Sequence, residues 1–315
     1  MAPKAKLATP KEVSAWRPSC ITEEMLAEMV ERNVLPPRNK LGWSPAKGKQ
    51  SPPDSSSEIV VFAPFFEAGF GLPAGPFFRG MLNYYGIELH HLNPNSILQI
   101  SIFIHLCEAF LGVDPHFSLF QHLFLLKSHP NDNCPNVVGG AGFQLRHGMA
   151  PKYLEMPLNE TNKGWHEQWF TCENIAPRLP PMSGKPPQWN PSWTKSPPAG
   201  DMDQVVELMQ LISDLKKGGL TGVAVAICFT RRLIQPIKHR TSTAYEYNGI
   251  EDPCRESERG VSSAECVARV KKLFTGPIGN KNLPRPFHLY RPPPEVRNQG
   301  PSMYIGSGTG SFVFL

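Results

Sequence analysis

Apolar positions recur at helical spacing in several separated stretches of the chain, and these set its expected layout. In ITEEMLAEMVERNVL, Met25, Leu26, Met29 and Val30 share one face of a predicted helix; Thr22 is its cap, Glu23 and Glu24 suit its positive end, and Pro36 and Pro37 stop it. A polar connector, KLGWSPAKGKQSPPDSSS, leads to EIVVFAPFFEAGFGLP, which opens on a short β run over residues 59–62. PAGPFFRGMLNYYG predicts a helix closed by Gly86. In HLNPNSILQISIFIHLCEAF the Asn93–Pro94 pair starts a helix and Gly112 ends it. At ~100° per residue, Ser101, His105 and Glu108 form one narrow stripe on an otherwise apolar cylinder, so this helix is expected at the centre of the fold with a single polar seam.

The pattern then changes. GVDPHFSLFQHLFLLKSHP predicts a helix over 117–127 with His122 and Lys127 outward, whereas FQLRHG, KYLEMP and GWHEQWFTCEN read as strands separated by turns. Residues 176–200 carry eight prolines, which exclude regular helix or an inner strand and predict a stiff connector held to the surface by Trp189 and Trp193. Beyond it, Asp201 caps a helix with Gln204 answering three residues later, and Val205, Leu208, Met209, Ile212 and Leu215 form its apolar face. TGVAVAICFTRRLIQP follows across a glycine turn as the second arm of a helical hairpin, and SSAECVARVKKLFTG gives a last short helix.

The expected class is α+β and predominantly α-helical: a helical core with a small β unit around 137–174 and a C-terminal helical hairpin. The expected layout is a disordered N-terminus over 1–20, the core with its β unit over 21–175, and a proline-rich linker over 176–200. The hairpin plus short helix occupies 201–275, and a disordered proline-rich tail 276–315.

Composition narrows the function classes. No window holds the roughly 18 consecutive apolar residues of a membrane span, and MAPKAKLATPKE has no apolar secretory core, so the expectation is an intracellular protein of cytoplasm or nucleus without membrane contact. The 7 cysteines are far apart and never in a C-x-x-C pair, which predicts reduced, mostly buried thiols. His105 and Cys107 point about 200° apart on a helix and cannot share an ion, and the run His116, His122, His129, Cys134 has no zinc spacing. No metal, cofactor or small-molecule site is therefore expected. The formal net charge is +5, with a weakly acidic centre between basic ends. Arg231, Arg232, Lys238 and Arg240 cluster near the end of a predicted helix; they are candidate phosphate contacts, and equally they are cations favoured by the helix dipole. Phosphate-loop, H-E-x-x-H, G-x-S-x-G and dinucleotide motifs are absent from the sequence.

Taken in order, ITEEMLAEMVERNVLPP, the run from FEAGFGLP through HLFLLK, NKGWHEQWF and GLTGVAVAICFTRRLIQPIKHR closely resemble the plant family of gypsy-type transposase domains, encoded by Ty3/gypsy-type retrotransposon-related elements. The likeness runs from about Ile21 to Tyr247. It implies a transposable-element-derived protein and brings no catalytic residue onto any position of this chain. The expectation is a non-enzymatic, Gag-like or accessory protein. It would act by self-association or contacts with element-encoded proteins, with weak nucleic-acid binding. The alternatives are a DNA-handling transposase-type enzyme with a carboxylate metal site, and a basic nucleic-acid-binding module.

Overall fold

The computed structural model describes residues 16–53, 57–130, 135–159, 162–234 and 262–275, with the short pairs 303–304 and 313–314. Helix α1 (Glu23–Glu31) begins where Thr22 Oγ1 accepts a hydrogen bond from Met25 N, and it buries Leu26 and Met29. The single turn α2 (Arg38–Leu41) follows, then strand β1 (Glu58–Phe62), helix α3 (Ala63–Glu67) and helix α4 (Pro76–Tyr85). A 3-10 turn at Leu89–His91 leads into helix α5 (Pro94–Leu106).

The central placement of α5 follows from its sequence. Asn93 caps it by accepting from Ser96 N, Pro94 supplies the first helical φ, and nearly every side chain from Ser96 to Leu106 is buried. The helix packs against α3, strand β3 (Ala141–Leu145) and helix α8 (Gly222–Ile234). Among the described residues, Pro94–Leu111 is long and apolar enough to cross a membrane by length and composition; 83% of that window is buried inside the protein. The last turn, Cys107–Leu111, is π rather than α, and Gly112 ends it in the left-handed region at φ 71°.

Helix α6 (Phe117–Leu123) is shorter than the periodicity predicts. At Phe124 the backbone becomes extended and continues as strand β2 (Phe124–Ser128), with Phe124, Leu126 and Ser128 buried and Lys127 exposed. Alternation at period two governs FLLKS, because β3 lies alongside in antiparallel register, Leu126 opposite Phe143. Of the three predicted strands in this region, the first is β3 and the last contains a 3-10 turn at Trp165–Glu167 followed by β4 (Trp169–Glu173). KYLEMP is irregular, with Tyr153 and Leu154 buried. Strand β4 pairs antiparallel with β1, Phe62 opposite Trp169, and Ser44 bridges to Thr171.

Helix α7 (Met202–Lys217) packs on α6; α8 follows it across a glycine turn and packs on α5 and on helix α9 (Ser263–Leu273). Gly222 is required there by close approach: a Cβ at this position would sit 1.9 Å from the Glu155 carbonyl oxygen. Strands β5 (Met303–Tyr304) and β6 (Val313–Phe314) form a third antiparallel pair. The fold is α+β and dominated by helices.

The proline-rich segment is pinned along its length. Leu179 is buried, with Asn174 bonded to both its N–H and its carbonyl. Trp193 is fully buried and donates its indole N–H to Tyr85 O, which Asn190 also engages. Arg146 donates to Gln121 O and Phe124 O on one side and to Thr194 O and Lys195 O on the other. Trp189, by contrast, is 59% exposed.

Candidate functional site

Of the four basic residues singled out from sequence, Lys238 and Arg240 lie outside the described residues. Arg231 and Arg232 lie in the last turn of α8 and face different neighbours. The Arg232 side chain is 4% exposed and turned into the interior: Nη1 is 2.6 Å from Glu108 Oε2 and 3.3 Å from His105 Nδ1. The π turn presents Glu108 at this contact, so the polar seam of α5 meets its partner on α8. As acceptor toward a guanidinium, His105 Nδ1 carries no proton; burial first and the Arg232 charge second hold its pKa well below the ordinary value. Arg231 instead faces α9, where its guanidinium hydrogen-bonds the Cys266 thiol and offsets part of the rise that burial causes there.

A second cluster surrounds the turn between α4 and α5. Glu88 precedes the 3-10 turn and its carboxylate accepts from His91 N, while His91 Nδ1 accepts from Glu88 N at 3.0 Å, a reciprocal cap. His91 Nε2 lies 2.9 Å from Lys185 O and must donate to it, because a carbonyl only accepts. The carboxylate also accepts from Ser183 N at 2.7 Å, so the proline-rich segment engages both the Glu88 and His91 side chains. His90 Nδ1 lies 3.5 Å from Glu88 Oε2. That spacing would suit an ion pair, but burial and then the neighbouring His91 push the His90 pKa down to about 3, offset in part by the Lys185 carbonyl, so the ring is neutral. His91 is lowered as well, chiefly by burial, against the Lys185 carbonyl and Glu88. The His90 ring is 2% exposed, and its Nε2 has no hydrogen-bond partner among the described residues. The ligand atoms of Glu88, His90 and His91 all lie within 4.8 Å of one another. Spacing rules for isolated zinc motifs pass over E-x-H-H, and the proximity of the three groups comes from the tight turn that Gly86 opens.

The other candidate groups are taken up by the fold. His116 Nδ1 caps α6 by accepting from Leu119 N, and its Nε2 meets Gln204 Oε1 at 3.1 Å. Gln204 and Asp201 therefore serve α6, Asp201 accepting from Ser118, rather than forming a cap of their own. Cys134 lies outside the described residues. Cys107 and Cys172 are fully buried; burial pushes the first thiol up to about 12 and the second well above its ordinary value. Trp165 and Trp169 are buried and pack against Phe62 and Trp16 respectively. The surface carries an open groove of about 730 Å³ beside α7, lined by Val205, Val206 and Met209 together with His122, Lys152 and Lys217.

Residues 59–128, from β1 to the end of β2, match the family described as "Putative gypsy type transposon". No curated protein and no solved structure matches the chain.

Proposed function

We propose that this chain is a non-enzymatic, transposable-element-derived protein of Gag-like or accessory type, acting through protein contacts with copies of itself or with other element-encoded proteins. One observation carries the reading: the side chains richest in chemical potential are bonded inward. His91 is held at both ring nitrogens, His116 likewise, and the Arg232 guanidinium is paired with Glu108. A general base or nucleophile needs reach to a substrate, and the fully buried thiols with raised pKa values are the opposite of activated nucleophiles. Large apolar groups left at the surface, Trp189 at 59% and Val206 at 60% exposure, agree with a role in contact.

Two measurements on purified protein test this together. Sedimentation over a concentration series is expected to show association, and incubation with duplex DNA and Mg²⁺ or Mn²⁺ is expected to leave the DNA intact. Metal-dependent nicking or strand transfer that one carboxylate substitution abolishes would overturn the reading in favour of a transposase-type enzyme. Nucleic-acid binding through Arg231, Lys238 and Arg240 would instead show as an affinity falling with salt at a log–log slope of about −0.7 to −0.9 per phosphate neutralised.

A further inference from the structure

We infer that Glu88, His90 and His91 form a binding site for a zinc-class divalent cation, a site that ties the turn before α5 to the proline-rich segment. Two neutral imidazoles and one carboxylate are a donor set that zinc accepts, with a fourth tetrahedral position open to water. Their ligand atoms lie within 4.8 Å of one another on a single short turn, so small side-chain movements bring them to coordination distance. The surroundings are built as a metal's outer shell is built. The Lys185 carbonyl accepts a hydrogen bond from His91 Nε2–H, which fixes the tautomer with its lone pair on Nδ1, toward Glu88; Ser183 N–H donates to the Glu88 carboxylate. His90 completes the set: its ring is 2% exposed and its Nδ1 faces the Glu88 carboxylate at 3.5 Å, so Nδ1 is the nitrogen it would offer to the ion. Coordination takes His91 Nδ1 away from Glu88 N–H, so one backbone hydrogen bond is exchanged for a metal bond.

The test uses the full chain, stripped with chelator and dialysed. Zinc is expected to bind at one ion per chain, cobalt to develop the visible absorption of a tetrahedral site, and magnesium to do neither. Glu88→Gln and His90→Ala are each expected to weaken zinc about tenfold or more, while His147→Ala, at an exposed histidine, leaves affinity unchanged. Should His90→Ala fail to fold, Glu88→Gln decides, because the amide keeps the size and an acceptor oxygen of the carboxylate. Folded wild-type protein that takes up no zinc, or zinc affinity that Glu88→Gln leaves unchanged, overturns the inference. Either result leaves the protein-contact reading standing, since that reading needs no metal.

Discussion

Arg232 shows what a single side chain does in this interior. Its guanidinium neutralises Glu108 and faces the neutral ring of His105 between α5 and α8. Removing one partner of such a pair strands the other charge, so Arg232→Ala is expected to destabilise the protein by about 3 kcal/mol in a urea titration. The double change Arg232→Met with Glu108→Leu is expected to recover most of that loss. The stripe Ser101, His105, Glu108 is legible in the sequence because helical periodicity alone sets it. Its partner is not, since the contact joins distant parts of the chain. Sequence adjacency groups Arg231 with Arg232, yet successive helical residues point ~100° apart, and one meets Cys266 while the other meets Glu108. The thiols give a second prediction at this scale. Cys107 and Cys172 are expected to resist a thiol reagent in the native protein at pH 8, whereas exposed Cys20 reacts at once; rapid labelling of either buried cysteine would contradict their placement.

Among the elements, the proline-rich segment depends most on one residue. Arg146 clamps Thr194 and Lys195 to the junction of α6 and β2 through charge-assisted bonds to four carbonyls. Arg146→Ala is expected to cost about 2–3 kcal/mol and to open residues 190–198 to limited proteolysis, with Trp193 fluorescence reporting the release. Unchanged digestion would show that Trp193 and Asn190 suffice. Eight prolines announce an extended segment, but they carry no information about where it lies, because its anchors are contacts with other parts of the chain: backbone groups bonded by Arg146, Asn174, His91 and Glu88, and the side chains of Asn190 and Trp193. The same limit explains β2. FLLKS is compatible with either period over so few residues, and pairing with β3 decides it. Gly222 tests the fit between α8 and the irregular stretch over 150–157: Gly222→Ala pushes a methyl group into the Glu155 carbonyl and is expected to lower the melting temperature by several degrees, about 1–3 kcal/mol of overpacking.

For the whole molecule, the buried histidines set the response to acid. Burial lowers the pKa values of His90, His91 and His105, with Arg232 adding to the effect at His105 and the Lys185 carbonyl opposing it at His90 and His91. The unfolded chain protonates these rings near the ordinary value of about 6.5, while the folded chain does not. Below that pH the unfolded state binds more protons, and stability falls as pH falls, by up to about 1.4 kcal/mol per pH unit for each ring that stays neutral. Urea midpoints at pH 7 and pH 5 are expected to differ accordingly. The stretch that matches the gypsy-type family contains Glu88 and all three of these histidines, whereas their partners Ser183, Lys185 and Arg232 lie outside it.

The account stands on these rings being neutral parts of the interior. Histidine-selective ¹⁵N NMR of the metal-free protein from pH 7.5 to pH 5 reads this directly. His90 and His105 should remain neutral across the range and His91 should protonate only below the ordinary value, His91 and His105 carrying the proton on Nε2. Protonation of the three near pH 6.5, as for solvent-facing rings, would contradict it.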